Sequence, residues 1–314
     1  MQNQKKPQFY ILFMLVSFAA VGAVIFSPAL PALARFFHVS VPHSQLTVMF
    51  YLFGYAFGEL PYGPIANRFG RRKAIHIGSS IAVLGCVICL LAGYLHFFIL
   101  LLIGLFITAL GAAVGLGSTL AMIADCYQGE QQAALDARMF MSFALMPAVA
   151  VVVGGFLVHY LNWQSCFYVF ALYAVLVFLL STRLPHTSIT HDQQAFKLNH
   201  IVAAYKESLT NMPFLSAAII VAVTTSFVYF YVAQAPLIGM TMIDLRSHEY
   251  GLLSLIPYSG LLIGAVASRK LTQYFGIIAT IWFGFTIALL AALIMFVSFI
   301  LGFVSKRQFN YSLS

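Results

Sequence analysis

Glu59 is the one acid well inside an apolar run of this chain, in the stretch GELPYGPIANRFGRRK from Gly58 to Lys73. A carboxyl group at membrane depth is costly unless it faces protein or a water-filled cavity, and ionisable side chains there are by default functional. Burial favours the protonated form of a carboxyl, so one reading of Glu59 is a group that takes up and releases the proton of a proton-coupled process. The other is a side chain of glutamine size that hydrogen-bonds a neighbouring helix while protonated. Tyr51 and Tyr55 are one helical turn apart and end one turn before Glu59, so the three share a helix face; if Glu59 lines a cavity, the tyrosines do too.

A second group, Phe227, Tyr229, Phe230, Tyr231 and Gln234, stands just ahead of Pro236. Its ring faces suit flat, apolar solutes, and Tyr229 and Gln234 are the cavity candidates within it. Only part of such a cluster can face inward, the rest being packing or lipid contact. No hydrolase elbow, metal-ligand spacing or phosphate loop stands in a setting that would use it, so no enzyme, cofactor or metal site is predicted. Cys86 and Cys89 form C-x-x-C inside an apolar run with no second pair, which reads as packing.

Membrane helices must position these residues. The 314 residues are 62% hydrophobic and 8% charged, with a mean hydropathy of +0.95, which excludes a soluble domain and predicts an all-α polytopic protein whose first partner is the lipid bilayer. The formal charge of +8 is dispersed into loops between apolar runs; it reads as insertion topology, with no nucleic acid as partner. At about 20 apolar residues per crossing there are about nine spans, near 9–36, 44–66, 74–94, 97–124, 138–160, 165–183, 213–239, 249–268 and 276–304. The first is too long for a signal-peptide core and reads as an uncleaved helix, bent at Pro28 and Pro31. With the N-terminus cytoplasmic, Lys5, Lys6, Arg68, Arg71, Arg72, Lys73, Arg138, Arg183, Lys197, Lys206, Arg269 and Lys270 fall inside, against Arg35, Arg246, Lys306 and Arg307 outside. Cations in short loops hold those loops on the cytoplasmic side.

Gly63, Arg68, Gly70, Arg71 and Arg72 match a pattern of Gly, three residues, Asp, Arg, one residue, Gly and two basic residues. That pattern resembles the loop after the second helix of the major facilitator superfamily, with Asn67 standing at the acid. Gly58, Leu60, Tyr62, Gly63 and Pro64 are similar to the string just ahead of that loop in the bicyclomycin/chloramphenicol-resistance branch of multidrug:proton antiporters, with Glu59 where glutamine is usual. Pro147 and the pair Gly154-Gly155 resemble an antiporter signature of the fifth helix. The resemblance implies two six-helix halves related as a parallel repeat, rocking about a midplane site. It implies multidrug efflux in exchange for protons across the bacterial inner membrane, with protons and small apolar or amphipathic solutes as partners. It makes Gly63, Asn67, Arg68, Gly70, Arg71 and Arg72 a gating loop; the reading from the residues themselves, that the cations fix topology, stands beside it. Gly63 and Gly70 are expected to let backbones approach closely and turn. The acid of the family's first helix and the arginine of its fourth, near Ile107, are absent here.

Three segments follow: 1–183 as a six-helix N-terminal bundle, 184–212 as a cytoplasmic linker with an amphipathic helix from about Lys197 to Leu209, and 213–314 as a C-terminal bundle of three helices. Gly264, Arg269 and Gly276 echo the Gly63 loop, as a parallel repeat requires. The repeat stops after its third span, so the second bundle is expected to be incomplete. The alternative to a transporter is then a truncated, non-transporting membrane remnant or interaction subunit, with self-association covering part of its open faces.

Overall fold

The first apolar run folds as α1 (Phe9–Val24), a 3-10 turn at Ser27–Ala29 and α2 (Leu30–Phe36). Pro28 and Pro31 carry no amide proton, so the hydrogen-bond ladder breaks between the two helices. The computed structural model describes residues 6–185 and 198–300, and every regular element among them is helical. The predicted positions of Lys5, Asp192, Lys197, Lys306 and Arg307 and the end of the ninth span lie outside the described residues.

After a single turn, α3 (Val41–Ser44), come α4 (Leu46–Phe69), α5 (Arg71–Leu95), α6 (Phe98–Ala112) and α7 (Val114–Cys126). α4 and α5 meet at Gly70, whose φ of 89° L side chains rarely adopt. α6 and α7 continue one another as a single apolar stretch. α8 (Gly129–Tyr160) begins before the predicted fifth span, because helical hydrogen bonding continues through its polar first turns at Glu130 and Asp136. α9 (Gln164–Ser181) follows.

α1 is apolar all round and is enclosed all round, with Leu15, Val16 and Phe18 fully buried among α7, α8 and α9. Phe18 stacks on Phe170 of α9 at 5.3 Å, and the Tyr173 hydroxyl donates to the Met14 carbonyl at 2.8 Å.

The linker helix α10 (Leu198–Thr210) falls within the predicted segment, and α11 (Met212–Leu237) starts with Asn211 accepting from the Phe214 amide at 3.3 Å. A π-helical turn at Ile238–Met242 leads to α12 (Ser247–Leu253) and α13 (Leu255–Ile300). The chain divides into two compact units, Met1–Leu255 and Ile256–Ser314; the division falls inside the segment 213–314.

Among the described residues seven stretches are long and apolar enough to cross a bilayer, where the sequence predicts about nine. α4 is too polar to be one of them, carrying Glu59, Asn67 and Arg68. The predicted spans 249–268 and 276–304 form one run, Ser247–Val297 of 51 residues. Two helices meet within it at a kink, where the backbone of Gly276 leaves helical angles with φ 80° and ψ 170°. The protein is thus an all-α, polytopic membrane fold with no strand among the described residues. Exposed Leu, Ile and Phe on α13 carry no penalty in that setting, since lipid chains solvate them as well as another helix would.

Candidate functional site

Gln45, the residue before α4, reaches α11. Its Nε2 donates to the Ala233 carbonyl at 3.1 Å and to Gln234 Oε1 at 3.2 Å. Between the two helices lies a cavity of about 1030 Å³. Val48, Met49, Leu52 and Ala56 form its α4 wall, and the small side chains Ala217, Ala218 and Ala222 on α11 leave the space open. Polar groups are few: Thr225, Ser226, the Gln45–Gln234 pair, and the hydroxyls of Tyr55 and Tyr229. A mainly apolar chamber with a few placed polar groups is the usual form of a small-molecule site.

Glu59 stands one turn past the lining residues Tyr55 and Ala56. The Tyr55 hydroxyl interacts with its carboxylate, and Tyr229 lies within electrostatic reach of the same group. The α4 acid and the α11 phenol are therefore within electrostatic range of each other, although 170 residues separate them. Glu59 is exposed and not enclosed by protein, which corrects the expectation that protein burial holds it protonated.

Tyr51 does not line the cavity. It is completely buried where α4 turns toward α1, its hydroxyl donating to the Ala19 carbonyl of α1 at 3.0 Å and its ring packed edge-on against Phe26 at 5.9 Å. Residues four apart share a face only approximately: each step of four overshoots a full turn by about 40°, so Tyr51 and Glu59 are rotated by about 80°. Tyr55 falls between and keeps the cavity face.

In the loop, Asn67 Oδ1 accepts from Arg71 Nη1 at 3.1 Å, and Arg71 Nε pairs with Asp125 Oδ2 at 3.3 Å. The acid absent at position 67 is thus supplied from the end of α7. Arg72 donates to the Thr182 carbonyl and His76 Nδ1 meets Ser181 Oγ at 2.8 Å, which ties the start of α5 to the end of α9. Arg68 is half-buried beside them. Gly70 makes the turn, but no heavy atom lies within 4 Å of where a Cβ on Gly63 would stand, so Gly63 admits no close backbone approach; it faces away from its neighbours. Sequence reasoning missed Gln45 and Asp125. Asp125 follows directly on the predicted fourth span, on the side to which alternation also sends Arg71, and that placement was a signal for it.

A profile of the Major Facilitator Superfamily matches residues 12–306. The chain belongs to that superfamily. Membership indicates transport rather than catalysis. The chain is similar to the chloramphenicol resistance protein CraA of Acinetobacter baumannii, 26% identical over 295 residues, covering 93% of this chain and 70% of that one. It is similar to the multidrug transporter MdfA of Shigella boydii, 27% identical over 269 residues, covering 84% and 64%. The chain spans about 62–70% of the length of such curated relatives. The crystal structure of a D-xylose-proton symporter matches with a TM-score of 0.65 at 16% identity, over 85% of this chain and 69% of that one, a likeness of fold. Within the superfamily the chain therefore resembles multidrug-resistance proteins, and all of these named relatives by sequence are bacterial.

Proposed function

We propose that this protein serves secondary transport of small apolar or amphipathic solutes across the bacterial inner membrane, as efflux in exchange for protons by alternating access. The observation that carries the reading is the α4–α11 cavity, with Tyr55 and Tyr229 in its walls and Glu59 one turn beyond Tyr55. Apolar walls accept the solute, the Gln45–Gln234 amides offer it hydrogen bonds, and Glu59 exchanges the proton. Counting α4 and the two parts of the run on either side of Gly276 gives nine crossings, with the N-terminus cytoplasmic. Asn67, Arg68, Gly70, Arg71 and Arg72 act as the gating loop, through the Arg71–Asp125 pair. The similarity to CraA and MdfA supports export of drug-like solutes.

The test is Glu59→Gln in reconstituted vesicles, with a fluorescent amphipathic cation as the solute and an imposed proton gradient. Transport is expected to follow the gradient in the native chain and to lose its dependence on pH in the variant. An unchanged pH profile in Glu59→Gln would remove the proposed coupling.

A further inference from the structure

α8 and α12 approach each other closely at two glycines. A Cβ on Gly155 would stand 2.5 Å from the Ser247 carbonyl oxygen, and one on Gly251 3.2 Å from that of Val151. One turn beyond Gly155 and one residue beyond Ser247, the rings of His159 and His248 meet with centroids 4.0 Å apart and planes inclined at 48°. Phe156 lies against His248 at 6.2 Å, and Tyr160 meets His159 edge-on at 4.8 Å. His248 Nδ1 is closed off from solvent and has no hydrogen-bond partner. The glycine contact fixes the spacing of the helices; the His159 ring is otherwise exposed, and the His248 ring is half-buried.

Two neutral imidazoles suit this arrangement and two imidazolium ions do not. Like charges about 4 Å apart repel, and water is excluded on the His248 Nδ1 side of the pair, although not from the exposed His159 ring. A proton on His248 Nδ1 would also find no acceptor. The other titratable groups here are Tyr160 on α8 and Asp244, Arg246, Glu249 and Tyr250 in and before α12. Glu249 Oε2 accepts from the Arg246 amide at 2.9 Å. The turns Ser27–Ala29 and Ile238–Met242, which also pack on α12, carry none. α9 adds Tyr168 and the Cys166 thiol, which donates to the Gly154 carbonyl at 3.8 Å; Tyr10 of α1 and Asp125 and Cys126 of α7 belong to the opposite end of α8.

We propose that His159 and His248 form a proton-binding site that latches α8 to α12: the contact holds while the rings are neutral and releases when both are protonated. Separation gives His248 Nδ1 water and relieves the repulsion of the charged pair, so protons bind the separated state better, and by linkage a falling pH favours separation.

The test measures the α8–α12 distance directly. Spin labels at Leu161→Cys and Ile243→Cys, both exposed positions, are read by pulsed dipolar spectroscopy on the full chain in nanodiscs, with Cys126 replaced by serine. One short distance is expected at pH 8. The ratio of separated to closed molecules should rise about tenfold by pH 5.5, the size of change a single proton-linked step readily produces. His159→Gln and His248→Gln should keep the short distance at pH 8, which shows them folded, and lose the rise. A distance that does not respond to pH, or a response that survives in both variants, overturns the latch. Neither solute nor membrane orientation enters this measurement, so its failure leaves the transport reading standing, and an unchanged pH profile in Glu59→Gln leaves the latch standing.

Discussion

The Tyr205 hydroxyl of the linker helix α10 donates to the Leu60 carbonyl of α4 at 2.8 Å. In a regular helix the Leu60 carbonyl would accept from the amide four residues on, and that residue is Pro64, which has no amide proton. The linker thus satisfies a backbone acceptor that the proline leaves open, one residue from Glu59. Unsatisfied backbone groups are costly within a membrane, so the contact gives α10 a defined place on α4.

Tyr205→Phe should therefore lower the stability of the purified protein by roughly 0.5–1.5 kcal/mol, the usual net value of one hydrogen bond. The same change made on a Pro64→Ala background should have little effect, since that substitution returns an amide proton to the Leu60 carbonyl. Thermal unfolding in detergent of the four proteins in this cycle provides the measurement. Equal losses on both backgrounds would show that the Tyr205 hydroxyl does not act through Leu60.

Tyr51 and Tyr55 should respond oppositely to loss of the hydroxyl. Tyr51→Phe removes a buried bond to Ala19 and is expected to reduce stability by about 1 kcal/mol without changing which solutes are moved. Tyr55→Phe removes a polar group from the cavity wall and the partner of Glu59. It is expected to leave stability nearly unchanged and alter both the solute profile and the pH dependence. Unfolding curves and vesicle transport on the same preparations separate the two outcomes; a changed solute profile in Tyr51→Phe would count against its assignment to the core.

The proposed orientation can be read with a membrane-impermeant maleimide on intact cells. Tyr94, at the end of α5, is 82% exposed, and Glu130, at the start of α8, is also exposed. With Cys126 replaced by serine, Tyr94→Cys should label from outside and Glu130→Cys only after the cells are opened. The reverse pattern would place the Arg68 loop outside and refute the cytoplasmic N-terminus.

What the sequence by itself determined was the class and the lines of the elements, because both follow from local composition. A run of apolar residues has one cheap place, and a proline or a glycine acts on its own turn. Pro28 and Pro31 bend the first helix where expected, and α10 forms at Leu198–Thr210, where a helix from about Lys197 to Leu209 was expected. Gly70 and Gly276 each take a positive φ, 89° and 80°, at the point where two helices meet. Helix count was less legible, since hydropathy marks where lipid can be and not where a helix ends, and Ser247–Val297 runs on as one stretch.

Only the tertiary structure decided which side chains meet. The four-residue spacing of Tyr51, Tyr55 and Glu59 reads as one face, yet the drift of about 40° per step sends Tyr51 into the core and leaves Tyr55 on the cavity. Gln45 with Gln234, Arg71 with Asp125 and His159 with His248 are joined across long stretches of chain. No local pattern carries such pairings. They depend on which helix packs on which, and that follows from the summed fit of many apolar contacts and small residues such as Gly155, distributed along the whole chain.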